Sequence, residues 1–443
     1  MKIAHNFRKG SLGRNAGWML AGQGLMFFTQ GLYFVLLVRL LGSQQYGIFV
    51  GAFALVSIAS QYSALGSGLV MLRRVSPNHQ KFPEYWGNAI LTTLSVGFVV
   101  ILLLRGIANW TIGEGGASII VLIALGECTC ARLAECAGQA FQAFEKLAMT
   151  ATLATLTSVA RLIAVASMTL VLHHATVRQW AIASVTVSAI SATIAVVTVT
   201  KTLGKPKFRP RLLLASAAEG LGFSFASSTT SIYNDLDKAM LSHYGMAVAN
   251  GIYGMAYKVI DISCVPIRAL HSAALPRFFK KGVAGVSGNI ELAAKLLAKT
   301  LPFALVSAVL MFVFARIIPL VVGQNFAESV LALRWLCLLP VFRSLHLSAG
   351  DALTGGGYQR YRTVCQIGAA GLNFGLNIFM IPAYSWRGAA WSSLMTDGFL
   401  AVANWVVLSA IFSKENNKKA SPSEALEVRT TTYKTNEGYA LTD

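Results

Sequence analysis

Seven basic side chains lie inside long apolar stretches of this sequence: Arg132, Arg161, Lys258, Arg268, Arg316, Arg334 and Arg343. At roughly 2.5–3.5 kcal/mol each at the centre of a membrane helix, seven such groups facing lipid would cost on the order of 20 kcal/mol, more than a fold can spare. They need a wet cavity, an acid partner or a nearby interface. Several cations in a low-dielectric chamber suit a phosphate-bearing anion that has to leave water. Arg132 and Arg316 fall near expected helix ends, where a long side chain reaches back to the interface.

Lys258, Asp261 and Arg268 are spaced by three and seven residues, so one helix face holds all of them. Asp261 either neutralises Lys258 or stands apart from it, and a cation is left over in both cases. Pro266 removes a helix hydrogen bond beside this stripe and favours a kink. The run Asp235-Leu236-Asp237-Lys238 supplies an acid for Lys238 and a second acid for a cap, a cation or substrate. Arg161 stands alone in its apolar run, with Glu127 and Glu135 the nearest acids along the chain, and Asp397 has no local partner. The candidate substrate-binding cations are therefore Lys258, Arg268, Arg161 and Arg343. Asp235, Asp237 and Asp261 are candidates for ion coupling or charge pairing.

Other chemistries lack their residues. No GxxxxGK[ST] phosphate loop occurs, and Gly355-Gly356-Gly357 is followed by Tyr358 and Gln359 without the lysine, so it reads as a turn. No HExxH motif occurs, and His173-His174 reads as a loop pair. Cys128, Cys130, Cys136, Cys264, Cys337 and Cys365 read as small membrane-buried side chains rather than metal ligands or disulfides. The acids form no catalytic pair. No metal or cofactor is expected, and movement of a substrate is the better expectation than catalysis.

The elements that must position these groups are transmembrane helices. Hydrophobic residues make up 55% of the 443 and charged ones only 12%, against about 25% charged in soluble domains. The apolar runs are near the roughly 20 residues that cross a bilayer, and the strict alternation of a transmembrane barrel is missing. The expected spans are 17–38, 47–69, 87–104, 117–140, 149–171, 180–200, 217–235, 251–270, 301–322, 330–353, 364–382 and 388–412, about twelve in all. The first run is too long for a cleavable signal peptide and acts as its own insertion signal.

The formal charge of +19 would suit nucleic acid, but in a membrane protein a basic excess reports topology. With the amino terminus inside, the inner loops and termini take most of the basic residues, including Arg73, Arg74, Lys201, Lys205, Lys207, Arg209, Arg211, Arg360 and Arg362. Only Arg39, Arg105, Arg178, Lys238 and Arg387 fall on the outer side, so both termini are expected in the cytoplasm and no nucleic acid partner is expected. The expected organisation is a six-helix lobe over 1–203, a basic cytoplasmic linker over 204–216, a second six-helix lobe over 217–412 and a polar, mobile tail over 413–443. The basic stretch Arg277–Lys299 reads as a short amphipathic helix on the inner membrane surface.

The halves repeat weakly. Gly47-Ile48-Phe49 and Ala52-Phe53 match Gly251-Ile252-Tyr253 and Ala256-Tyr257 at an offset of 204, and Gly138-Gln139-Ala140-Phe141 matches Gly350-Asp351-Ala352-Leu353 at an offset of 212. An even number of spans separates each pair, so the halves run in the same direction, related by an axis along the membrane normal.

Arg39 to Gly47 (RLLGSQQYG), Leu65-Gly66-Ser67-Gly68 and Arg73-Arg74 resemble the opening of the polysaccharide transporter family, part of the multidrug/oligosaccharidyl-lipid/polysaccharide exporter superfamily. Gly138 to Lys146 (GQAFQAFEK), Asp235 to Lys238 with Tyr253, and Gly323-Gln324-Asn325-Phe326 extend the resemblance along the chain. It implies an all-α integral membrane protein with two six-helix lobes around a central cavity, in the bacterial inner membrane. It implies an undecaprenyl-diphosphate-linked oligosaccharide as substrate, flipped by alternating access, with membrane lipids, a glycan polymerase and glycosyltransferases as partners. Energy would come from a proton or sodium gradient through Asp261 or Asp235, or from consumption of the product. A multidrug extruder of the same superfamily would need an acidic cavity, and a membrane glycosyltransferase or polymerase would need catalytic acids and larger outer loops.

Overall fold

Long apolar stretches without turn signals leave the backbone only its own turns to satisfy its hydrogen bonds in lipid, and helix is the solution. The computed structural model describes residues 9–112, 116–172, 174–282 and 285–420, and every regular element among them is helical. Helix α1, Lys9–Ser63, is broken at Gly42, whose φ of 66° is a left-handed value that glycine adopts without strain, so it contains the first two expected spans. Then follow α2 (Ser67–Val75), α3 (Phe82–Ile112) and α4 (Gly116–Ala124), the last continuing through a π-helical stretch at Leu125–Ala131 into α5 (Arg132–Ala143). Next come α6 (Leu147–Val171), α7 (Val177–Leu203), α8 (Pro210–His243), α9 (Ala247–Ser263) and α10 (Val265–Gly282). The remainder is α11 (Ser287–Phe314), α12 (Ile318–Val322), α13 (Ser329–Leu336), α14 (Leu339–Gly355), α15 (Gln359–Tyr384) and α16 (Trp386–Ala420).

Nine stretches among the described residues are long and apolar enough to cross a membrane. The difference from about twelve has local causes. The first two expected spans count as one stretch, Phe28–Ser63, because α1 continues through its Gly42 break, α8 carries the polar run Asn234-Asp235-Leu236-Asp237-Lys238, and α9 and α10 are interrupted at Cys264. That interruption sits two residues before Pro266, whose ring nitrogen cannot donate to the preceding turn. Large apolar side chains point outward, among them Phe98, Leu103, Leu170, Phe312, Phe379 and Val402, the reverse of a water-soluble surface. The protein is a multi-pass membrane protein.

Three expectations are corrected. Lys238 does not sit in an outer loop: α8 runs on to His243, and Lys238 is buried against acids of its own helix. Arg277–Lys299 is not a separate interfacial helix, because it comprises the end of α10 and the first turns of the continuous α11, where Ala293 and Leu296 pack with Phe278, Ala349 and Leu353. The basic stretch from Lys201 is a linker only over residues 204–209, where Lys207 N–H donates to the Pro83 carbonyl (2.7 Å) and Arg209 pairs with Glu84 (3.1 Å), before α8 starts at Pro210. Lys2, Arg8, the side chains of Lys9 and Arg14, His173 and the tail beyond residue 420 lie outside the described residues.

The chain forms two compact units. The first contains Met1–Lys258, Phe314–Arg334 and Asn373–Ser392, and the second Val259–Val313, Trp335–Leu372 and Ser393–Asp443. In the first, Phe82, Trp86, Phe141 and Val199 fill one core and Val56, Ile101, Leu104 and Ile120 another. In the second, Phe278, Leu296, Leu353 and Leu408 form the core.

The repeated glycines of the first unit touch each other. A Cβ on Gly47 would lie 1.7 Å from the Ala247 carbonyl oxygen and 2.7 Å from Gly251 N, while one on Gly251 would lie 2.0 Å from the Ser43 carbonyl oxygen and 3.3 Å from Gly47 N. Residues 43 and 47 of α1 thus meet 247 and 251 of α9 reciprocally, at the offset of the sequence repeat, as the two sides of a self-complementary interface do. Asn250 Nδ2 ties this crossing by donating to the carbonyls of Gly47 (3.1 Å) and Lys238 (2.9 Å). The residues flanking the Gly42 break hold the segment on both sides of Gly323: Arg39 donates to the Leu320 carbonyl at 3.2 Å, and Tyr46 packs edge-on against buried Phe326.

Candidate functional site

An interior cation needs either an acid or an aqueous ligand, and the two kinds separate clearly here. In the first unit, Arg161 of α6 donates through Nη2 to Glu127 Oε1 (3.2 Å) and Ser188 Oγ (3.4 Å). Glu127 belongs to the π-helical stretch, whose wider turn interrupts the α4–α5 ladder. This pair borders a cavity of about 450 Å³ whose wall also includes Cys130, Glu135, Gln139, Gln142, Thr157, Ser158 and Ser191. Arg132 pairs with Glu135 at 2.7 Å and donates to Ser60 Oγ at 3.0 Å, so it is not a lone helix-end cation.

A second group of the first unit is buried. Lys238 Nζ donates to Asp235 (2.8 Å), lies 3.8 Å from Asp237 and stands 4.0 Å from the centre of the Tyr257 ring. Fully buried Asp237 accepts from the Tyr253 hydroxyl and the Lys238 N–H, and Ser57 Oγ reaches Asp235 at 3.5 Å. Within the same unit Lys258 is exposed and makes no ion pair with a described residue.

In the second unit, Asp261 accepts from Arg343 Nη1 (2.8 Å), so this acid is spent on Arg343 and not on Lys258 as one of the two readings had it. Arg343 Nε lies 3.8 Å from Asp397, which also faces His346 (3.6 Å). Arg268 is exposed and donates through Nη2 to the backbone carbonyl of Asp261 (2.9 Å), with no acid paired to it among the described residues. A further buried cluster joins His271 to Asp351 (2.7 Å) and Asp351 to Arg362 (3.3 Å).

The structure therefore joins Asp235 with Asp237, and Asp261 with Arg343 and the backbone reach of Arg268. Arg161 stands at a separate place in the first unit. Sequence reasoning missed His271, His346, Asp351, Arg362 and the partners of Asp397. A signal existed for two of them: Asp351 matches cavity-lining Gln139 in the repeat, and His271 follows Arg268 by three residues. No group of three or more metal-binding side chains occurs among the described residues, and their cysteines are all free. Outside the spans, the Tyr358 hydroxyl donates to Glu415 Oε1 (2.9 Å), and this hydrogen bond, with burial a smaller cause, raises the phenol above its ordinary range.

The family model described as "Polysaccharide biosynthesis protein" matches residues 12–281. Solved structures share the fold at low identity. Lipid II flippase MurJ in an inward closed conformation aligns with a TM-score of 0.73 at 11% identity, covering 88% of this chain and 87% of that one. An inward-facing multidrug resistance MATE family transporter of the MOP superfamily gives 0.70 at 13%, covering 87% and 96%, and the eukaryotic MATE transporter AtDTX14 gives 0.60 at 14%, covering 89% and 93%. None of the curated protein sequences compared with this chain matches it.

Proposed function

From the premise that this chain belongs to the polysaccharide biosynthesis protein family, we propose that it is a flippase for an oligosaccharide linked to undecaprenyl diphosphate. In this reading an O-antigen, capsule or exopolysaccharide repeat unit moves by alternating access from the cytoplasmic to the periplasmic face of the bacterial inner membrane, with both termini of the protein in the cytoplasm. The helix bundle rocks between states open to each face. Glycosyltransferases supply the substrate and a polymerase consumes the product.

The observation that carries the reading is the unequal neutralisation of the interior cations. Arg132, Arg161 and Arg343 have carboxylate partners, whereas Lys258 and Arg268, each in its own unit, and Arg316, near a helix end where a long side chain reaches the interface, are exposed and have none among the described residues. A cation kept unpaired in an apolar helix is suited to an anionic headgroup that arrives with the substrate. A multidrug extruder that binds cations would gain nothing from them. Lys258 and Arg268 are thus assigned to the diphosphate, Arg161 and Arg343 to shaping the sites, and Asp235, Asp237 and Asp261 to charge pairing. Whether translocation follows a proton or sodium gradient distinguishes a driven exporter from one drawn by removal of its product.

The test is complementation of a flippase-null strain with defined lipid-linked glycans. Lys258→Ala and Arg268→Ala should abolish glycan display while the protein persists in the membrane, and full activity of both would remove the assignment.

A further inference from the structure

The cavity beside the π-helical stretch is not a phosphate site. Its wall contains two carboxylates, Glu127 and Glu135, against one guanidinium, Arg161, and that guanidinium is already bonded to Glu127. A diphosphate entering it would meet no unspent positive charge. The remaining wall is amides and hydroxyls, and several have capacity to spare. The Gln142 amide and the Ser191 hydroxyl have no hydrogen-bond partner among the described residues, and Arg161 Nε is buried without one. Thr157 and Ser158 donate to carbonyls of their own helix, which leaves their oxygens free to accept. The volume of about 450 Å³ is in the range of small-ligand sites, and the π-helical turn is a feature that recurs at functional positions.

Resting on the flippase reading, we propose that this cavity of the first unit is a subsite for uncharged, hydroxyl-rich or N-acetylated sugar rings of the glycan. Acidic sugars and phosphate find no unspent cation there, because Arg161 and Arg132 are already paired with Glu127 and Glu135. Gln142, Ser158 and Ser191 read the sugar hydroxyls, and the Glu127–Arg161 pair fixes the wall rather than the anion.

Cys130 lines the cavity and reports on it, since the other five cysteines are buried. The purified full-length protein in nanodiscs is labelled with a maleimide, and Cys130 modification is followed by peptide mass spectrometry. Maltotriose or triacetylchitotriose should slow labelling about tenfold at ten times its dissociation constant, by simple occupancy. Trigalacturonate and pyrophosphate should leave the rate unchanged. Gln142→Ala with Ser191→Ala should weaken the protection while the rate without sugar stays the same. A Cys130 that never labels, protection by pyrophosphate, or no protection by either uncharged sugar overturns the subsite. Lipid-linked glycan flipping is measured in the same preparation: flipping without protection removes the subsite alone, and absence of flipping removes the function on which it rests.

Discussion

The Glu127–Arg161 pair of the first unit and the Asp261–Arg343–Asp397 group of the second use the same chemistry in different surroundings. Arg161 and Glu127 leave 28% and 21% of their side chains exposed at the edge of a cavity, whereas Arg343 and Asp397 leave 8% and 5%, and only Asp261, at 39%, opens the second group to water. A pair at a wet cavity edge contributes about 0–1 kcal/mol, because water competes for both partners. The buried Arg343–Asp397 contact has no such alternative, and removing one partner from a contact of that kind costs about 3–5 kcal/mol. Similar ion pairs therefore mean different things: the first shapes the wall of a cavity at little cost to the fold, and the second holds the fold itself.

Substitutions can break this contrast. The largest stability loss should follow Arg343→Ala, which takes the guanidinium from beside buried Asp397 and should lower unfolding stability by about 3–5 kcal/mol in a denaturation series. Arg343→Ala with an unchanged midpoint would end the distinction. Gly47→Val should come next, because its side chain would drive into the α9 backbone, and overpacking of this kind costs about 1–3 kcal/mol or more. Arg161→Gln should cost no more than about 1 kcal/mol in the same measurement, yet transport should fall at least tenfold. A large stability loss there would move Arg161 into the structural class. A comparably small stability change, with no loss of transport, should follow Tyr358→Phe, which removes one hydrogen bond worth about 0.5–1.5 kcal/mol. Since the folded protein raises the Tyr358 phenol, its contribution is fully present below about pH 10 and is lost as pH rises through the raised value. Wild type and Tyr358→Phe should therefore converge in stability at strongly alkaline pH.

The division between these regions was only half legible in the sequence. Hydrocarbon thickness prints itself as apolar runs near 20 residues long, so most spans could be placed without coordinates. The repeat at 47–49 and 251–253 was legible because both glycines are needed at one close crossing. Partner choice was not. Arg343 meets Asp261 across 82 residues of chain, and Asp397, without a local partner, finds Arg343 and His346 through packing alone. Lys238 was misplaced because Asp235, Asp237 and Lys238 look like a polar loop. Three i, i+2 and i+3 neighbours instead satisfy one another inside a helix, with the Tyr257 ring covering the ammonium. The π-helical stretch leaves no hydropathy signal at all, since it changes the count of residues per turn without changing their polarity.

Reconstitution tests the central claim most directly. Proteoliposomes are loaded on one leaflet with an undecaprenyl-diphosphate-linked oligosaccharide, and its arrival on the other is read with a membrane-impermeant glycosidase. The account predicts rapid translocation by the wild-type protein and rates near those of empty liposomes for Lys258→Ala and Arg268→Ala, both with unchanged unfolding midpoints. Translocation that proceeds equally well in both variants, or none at all by the wild-type protein, would contradict it.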